Sequence, residues 1–561
     1  MANYAGVLAG FGVSAGIAGG RALVLKRDRE VERQNIAEDE IKTQLLRLDR
    51  GIAQLTEETE KLLAQARAAM SGGEAEIFEA HVLMLQDPAL REALIDAVTN
   101  KRKNLAWAVH DVLGDFIKTF AALDDEYMRQ RAADLTEIRQ RLLDLLDGGT
   151  SFPVLQPGSI IIAEYLGPAE TLSLNRDCLA GIVLERGGRT SHTSVLARAL
   201  GIPAVIGVDG ITTAVTTGAE IIVDANAGQV HISPPDTVRA QYAAQISRQE
   251  AEKRALEELL AEPAVTLDGR NVALWANVGG VAEAAEALTH GAQGIGLFRT
   301  EFLYMDRQSL PCEEEQERVY REMLAVMRGK PVVIRTLDIG SDKKLPYVST
   351  AAEDNPALGC RAIRWCLQEK EVFRTQLRAL LKASVAGDLW IMFPMIAVPE
   401  ELRAAKNLLA DTRQQLAAEG IGVSERIKVG MMVEVPAAAL NADLFAPEVD
   451  FFSIGTNDLL QYLFAADRQN EAVGYLYQPR NTVLLRLLRH IAAAAHRRGI
   501  PVGICGEMAG DPEMTAVLVG LGLDELSMSG QCIPRVKRTI RSLEANTAVR
   551  LLDGLMGKNN W

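Results

Sequence analysis

The feature that most constrains this chain is a repeating pattern in its last three hundred residues. Eight short apolar runs alternate there with helical segments: NVALWANVG, GIGLFRT, VVIRTLDIG, LWIMFPMI, KVGMMVEV, VDFFSIGTND, PVGICGEMAG and LDELSMSG. Short continuous apolar runs suit strands buried on both faces, and strand–helix alternation brings parallel strands together. Eight such units fit a (β/α)₈ barrel, with an open doubly wound sheet as the competitor. Each run is apolar in the middle and polar at its C-terminal end. In a barrel those ends meet at the mouth where catalytic sites lie, which would bring together Arg299, Arg335, Glu434, Asn457, Asp458, Cys505, Glu507 and Ser529.

The rest of the chain reads as different material. Residues 1–25 hold apolar runs broken by glycine, such as AGVLAG and GRALVL, which suit strands and turns. From about 30 to 148 the period becomes helical. Ile41, Leu45, Leu48, Ile52, Leu55 and Leu62 make one apolar stripe, and further helical stretches lie around 73–86, 88–122 and 124–147. A helical bundle needs that stripe for its core. Strand runs return in 152–232 as SIIIAEYL, GIVLE, AVIGV and EIIVDA. This α/β unit could take its missing strands from the N-terminus, with the bundle as an insertion. Pro234 and Pro235 close it, and a charged helix over 237–261 follows as a linker. It suits either a joint between moving bodies or a helix packed rigidly on one side.

Composition removes several classes of function. With 561 residues, 48% of them hydrophobic, the chain is too long for one domain and suggests about three. A formal net charge of −14 and only 5% aromatic residues argue against nucleic-acid binding. The six cysteines form no CxxC pair and the seven histidines no zinc spacing, so a reducing cytoplasm fits better than a disulfide scaffold. No charge-free run reaches membrane-spanning length.

One histidine stands apart. His192 lies in GGRTSHTSVLAR, among Thr190, Ser191, Thr193 and Ser194, after two glycines that permit a tight turn. If Thr190 or Ser191 caps a helix there, His192 meets the free N–H groups of a helix start, which attract anions. It could carry a phosphoryl group, or be an ordinary histidine at a capped helix start. In the barrel half, two arginines at strand ends suit phosphate or carboxylate, and Glu434 with Asp458 suit a magnesium ion that also binds substrate phosphate. Lys343, Arg361 and Arg468 lie just beyond the strands. Each arginine alone could instead form a salt bridge between loops. Cys505, between glycines in GICGEMAG, could be a general acid or a small buried residue.

GGRTSHTSVLAR, GIGLFRTEFLYMDR, RTLDIGSDKKLPY, GMMVEVPAA, DFFSIGTNDLLQY and GICGEMAGD together resemble enzyme I of the bacterial sugar phosphotransferase system. EIFEAHVLMLQD and LDDEYMRQRAADL extend the resemblance into the helical insertion. It implies a phosphoenolpyruvate–protein phosphotransferase with a phosphohistidine intermediate and bound Mg²⁺. On these residues His192 would be phosphorylated, with Thr171 touching the histidine or its phosphate. Arg299, Arg335, Asn457, Arg468, Lys343 and Arg361 would bind phosphoenolpyruvate, and Glu434 and Asp458 would hold the metal. Cys505 would protonate the enolate to give pyruvate.

The implied organisation is strands over 1–25 completing the phosphohistidine domain, an insertion over 26–148 that binds the carrier protein HPr, and the α/β domain over 149–232. A linker helix over 233–262 and the barrel over 263–561 follow, the barrel binding substrate and forming a homodimer. The protein would be cytoplasmic, with no nucleic-acid partner and no membrane insertion. His192 must then meet both the barrel and HPr, so a swivel about 233–262 is expected. Two rivals are a pyruvate phosphate dikinase or phosphoenolpyruvate synthase, which need a nucleotide-binding domain, and a dimeric phosphoenolpyruvate sensor that does no chemistry. Ser341, Cys360, Arg480 and the stretch GQCIPRVK depart from the family pattern without touching these roles.

Overall fold

The computed structural model describes residues 6–25, 31–69, 74–123, 126–146, 155–167, 170, 174, 178–187, 193–194, 197–198, 201–305, 307–340, 347, 353–468 and 470–557. Two compact units divide the chain, Met1–Ala251 and Glu252–Trp561.

The first unit is built on an eight-stranded sheet in the order β1-β8-β7-β3-β4-β5-β6-β2. Its strands are β1 (Val7–Ala9), β2 (Phe11–Ser14), β3 (Ile17–Leu25), β4 (Ser159–Ala163), β5 (Leu179–Leu184), β6 (Ala204–Ile206), β7 (Glu220–Asp224) and β8 (Gln229–Ile232). The N-terminal strands complete this sheet. β1 and β2 form its two edges, and β3 sits inside, antiparallel to β7 and parallel to β4. The strand runs are continuously apolar because both sheet faces are covered. Ile161, Ile182 and Ile206 pack on one side, and Ile160, Ile162, Val183 and Val205 on the other.

Because β3 and β4 pair directly, from Arg21↔Ser159 to Leu25↔Ala163, the chain can leave and re-enter the sheet between them without breaking it. The helical insertion occupies that gap as α1 (Ile41–Ala69), α2 (Glu74–Leu85), α3 (Pro88–Thr99), α4 (Leu105–Ala121) and α5 (Glu126–Leu146). In the α1 stripe Leu48, Leu55 and Leu62 are buried, while Ile41, Leu45 and Ile52 pack around the same core. The helical stretch expected over 88–122 is in fact two helices. Arg102 takes a left-handed φ of 55°, and Asn104 starts a new helix by accepting a hydrogen bond from Trp107 N at 3.0 Å.

The charged helix runs Asp236–Glu258, across the boundary between the units. Its first half is fixed to the sheet through buried Tyr242, whose hydroxyl donates to Asp224 at 3.0 Å and lies 3.0 Å from His231 Nε2. Beyond the boundary, Glu252 pairs with Arg538 at 2.8 Å in the second unit.

In the second unit, β9 (Ala273–Val278), β10 (Ile295–Arg299), β11 (Val332–Arg335), β12 (Leu389–Phe393), β13 (Lys428–Val433), β14 (Phe452–Gly455), β15 (Val502–Cys505) and β16 (Glu525–Met528) close into a barrel. Each of the eight apolar runs supplies one strand, and every neighbouring pair is parallel. Trp275, Leu297, Val333, Trp390, Met392, Met432 and Phe451 fill the interior, while alternate residues such as Phe298, Ile334 and Phe393 face the surrounding helices. Truncating a buried ring such as Phe393 to alanine would cost about 3–5 kcal/mol. Among the described residues, no helix is long and apolar enough to cross a membrane.

Candidate active site

The C-terminal ends of the barrel strands open into a cavity of about 1490 Å³. Arg299, Arg335, Arg361, Glu434, Asn457, Asp458, Arg468, Cys505 and Glu507 all line it. Ser529, at the end of the last run, does not. His192, Thr171 and Lys343 lie outside the described residues.

Two buried guanidinium groups form its floor. Arg335, the last residue of β11, pairs with Glu301 through Nη2 and with Asp338 through Nη1 at 2.9 Å. Arg361 Nη2 meets the other oxygen of Asp338 at 2.9 Å and Asp458 at 3.5 Å, while its Nη1 donates to the Tyr462 hydroxyl at 3.1 Å. One carboxylate therefore holds two arginines. Burial works against both charges, but Asp338 with Glu301 around Arg335, and Asp338 with Asp458 around Arg361, hold each guanidinium firmly protonated. The salt-bridge reading of these arginines is thus correct and compatible with a place in the cavity. Each keeps a buried Nε with no hydrogen-bond partner. Arg299 and Arg468 are exposed and complete a cationic lining.

The carboxylates Glu434 and Asp458 line the same cavity. Glu434 follows β13 and is buried, accepting a hydrogen bond from Met395 N at 2.7 Å. Met395 adopts a left-handed φ of 57°, a strained conformation for a side-chain-bearing residue. Glycine at 455 is what admits Glu434, because a Cβ there would lie 2.7 Å from Glu434 Oε2. Three residues on, Asp458 sits in the first turn of the helix Thr456–Phe464. Burial, and then the negative charges of Asp458 and Asp338, push Glu434 well above the carboxylate range, against the pull of Arg335 and Arg361. A pair of carboxylates that resist a shared negative charge is a donor set suited to a divalent cation. Magnesium commonly takes only one or two protein carboxylates beside substrate phosphate, so these residues fit it.

Cys505 ends β15 with 3% of its surface exposed, and it still borders the cavity. Burial pushes its thiol up to about 12, so it stays protonated near neutral pH. Tyr477 donates to the Asn457 carbonyl at 3.1 Å, in the first turn of the helix Thr456–Phe464.

In the first unit, Thr193 and Ser194 follow His192 directly and are buried in helical backbone. Thr193 Oγ1 donates to the Leu166 carbonyl at 2.7 Å, in the segment that leads towards Thr171.

Glu301, Asp338, Tyr462 and Tyr477 escaped the sequence reading. The signal for one of them was present: Asp338 follows Arg335 by three residues. A buried arginine needs a carboxylate, and this was the nearest one to Arg335 in sequence.

Three family models match the chain. They are the phosphoenolpyruvate-utilising enzyme N-terminal domain over 9–131, its mobile domain over 155–228, and its phosphoenolpyruvate-binding domain over 253–545. The chain is 47% identical over 550 residues to the phosphoenolpyruvate-protein phosphotransferase of Geobacillus stearothermophilus, covering 98% of this chain and 95% of that one. It is 45% identical over 545 residues to the protein of that name from Bacillus subtilis strain 168, covering 96% and 95%. The Staphylococcus carnosus protein of that name is 44% identical over 538 residues, covering 95% and 93%.

Proposed function

Because this chain belongs to the phosphoenolpyruvate–protein phosphotransferase family, enzyme I of the bacterial sugar phosphotransferase system, we propose that its barrel cavity delivers the phosphoryl group of phosphoenolpyruvate to His192. The phosphohistidine then passes it to a histidine of HPr. One observation carries the assignment of the cavity: two fixed guanidinium groups, a carboxylate pair and a protonated thiol line a single pocket.

Arg335 and Arg361 would bind the substrate's anionic groups, using charges already held in place by Asp338, so little reorganisation is needed when substrate arrives. Arg299, Lys343, Asn457 and Arg468 would complete the substrate's partners. Glu434 and Asp458 would hold Mg²⁺, which when bound supplies neutralising charge to the phosphate. Neutral His192 attacks phosphorus in line. A P–N bond forms, the P–O bond breaks, and its electron pair stays on the enolate oxygen. The Cys505 thiol gives its proton to the enolate methylene carbon, which produces pyruvate. A thiol held protonated and shielded from bulk water suits that step.

Thr171 would contact the histidine or its phosphate. The helical insertion would bind HPr, and the barrel would form the homodimer. His192 must reach both sites, so the segment 233–262 is proposed as a swivel. Tyr242 ties the helix to the sheet of the first unit, and Glu252 pairs with Arg538 of the second. A crosslink between the two units that left transfer to HPr undiminished would remove the swivel.

The deciding experiment is mass spectrometry after incubation with phosphoenolpyruvate and magnesium. Acid-labile phosphate on wild-type protein, absent from His192→Ala, with pyruvate released and phosphate passing to added HPr, is the expected result. Binding of phosphoenolpyruvate without phosphorylation would overturn the assignment.

A further inference from the structure

A second polar group lies inside the barrel beneath Cys505, and the mechanism above does not use it. Glu525 starts β16 and points inward with 8% exposure. Its carboxyl fills space left by glycines on two other strands: a Cβ on Gly503 would lie 1.8 Å from Oε2, and one on Gly296 would lie 2.7 Å from Oε1. Gly503 is two residues before Cys505 on β15, hence on the same face of that strand. Ser453 pairs in register with Gly503 from the other side, and its side chain is also buried. Glu525 Oε1 and Ser453 Oγ both lack a formed hydrogen bond. Ser453 nevertheless stands close enough to the thiol to favour its thiolate, and Glu525 close enough to disfavour it. By contrast Ser527, beside Cys505 in register, is committed to Asn277 at 2.6 Å.

Buried polar atoms without partners are costly, so two of them inside the barrel, on the strands that flank the one carrying a reactive thiol, call for an explanation. Burial, then the charge of Asp524, holds Glu525 well above the carboxylate range, as a neutral acid. A thiol with its proton held so tightly leaves a strongly basic thiolate once that proton has gone to the enolate. Cys505 is nearly closed to solvent, and product occupies the cavity above it.

We propose that Glu525, acting through Ser453, is the proton store that restores the Cys505 thiol after each turnover. The Ser453 hydroxyl proton moves to Sγ, the Glu525 carboxyl proton moves to Ser453 Oγ, and the resulting carboxylate recovers a proton from solvent. No electrons are exchanged. The inference rests on Cys505 being the proton donor.

The test uses the full-length protein with phosphoenolpyruvate, magnesium and excess HPr, and compares wild type with Glu525→Gln and Ser453→Ala. Resting enzyme already carries the thiol proton. Pyruvate formed in the first turnover, measured by rapid quench, should therefore stay within about twofold of wild type, while steady-state turnover falls at least about tenfold and its solvent deuterium isotope effect grows. A purely structural role would slow both phases together, and that outcome overturns the proposal. So does an unchanged steady state in both variants. If Glu525→Gln fails to fold, the same split in Ser453→Ala decides. Failure of the underlying reading is distinguishable: Cys505→Ala would then release pyruvate at the wild-type rate.

Discussion

Alkylation of Cys505 puts a number on the protonation that the proposed chemistry requires. Its thiol is pushed from an ordinary 9.0 to about 12, chiefly by burial. Near pH 8 that lowers the reactive thiolate about a thousandfold relative to an ordinary thiol. The thiolate that does form is more nucleophilic, and a Brønsted slope of about 0.4–0.5 returns a factor of roughly 15–30. The net result is labelling about 30–60 times slower from protonation alone, and the 3% exposure slows it further. The assay is iodoacetamide labelling followed by mass spectrometry of each cysteine peptide, with exposed Cys312 as the internal reference. The Cys505 rate should rise about tenfold per pH unit from pH 7 to 10 without a plateau, because the titration lies above that range. A plateau near pH 9, or labelling as fast as Cys312, would refute a tightly protonated thiol and with it the ready-made proton donor.

Two other changes have definite expected outcomes. Asp338→Asn removes the charge that two buried guanidinium groups share; because each keeps a second carboxylate, the loss should sit near the low end for a broken buried pair, about 3 kcal/mol. Calorimetry should show the barrel melting about 4–5 °C lower, with kcat/KM for phosphoenolpyruvate down about tenfold or more as the arginines lose their fixed positions; an unchanged melting point would show that Asp338 does not hold them. Asp268 accepts hydrogen bonds from Thr266, Ala545 N and Asn546 N, and these lower its carboxyl from 3.8 to about 2. A depressed carboxylate stabilises above its unfolded value and stops doing so as pH falls through its folded one, so the cap on the helix Ala545–Gly557 should weaken between pH 4 and about 2. Pepsin should cut Asp268→Ala in that helix faster than wild type at pH 4 and no faster near pH 2; equal rates at pH 4 would contradict the cap.

The barrel was legible because every strand is buried on both faces. Each run, from NVALWANVG to LDELSMSG, had to be apolar throughout its middle, and strand ends alone could carry polar groups. The same logic brought Arg335, Glu434, Asp458 and Cys505 to one mouth without any contact being known. The break between α3 and α4 was not legible, since Asn100, Lys101, Arg102, Lys103 and Asn104 contain neither proline nor glycine, and a polar run of that length also suits the solvent face of one helix. There a capping asparagine and one left-handed arginine set the boundary. Glu301 was not legible for another reason: that it meets Arg335 depends on the turn after β10, which the strand pattern does not encode.

Glycine links the visible and the hidden parts of this site. At Gly455 a missing side chain admits Glu434, and at Gly503 and Gly296 it admits Glu525. In each case the room left by a glycine takes a carboxyl group that burial keeps protonated. The two acids then diverge by surroundings. Glu434 lines the cavity with Asp458, where the two are proposed to hold a cation. Glu525 lies across Gly503 from Ser453, in the proton relay proposed above. One barrel thus holds two similar carboxyl groups in different surroundings, which is why one is proposed to bind a metal and the other to reset the thiol.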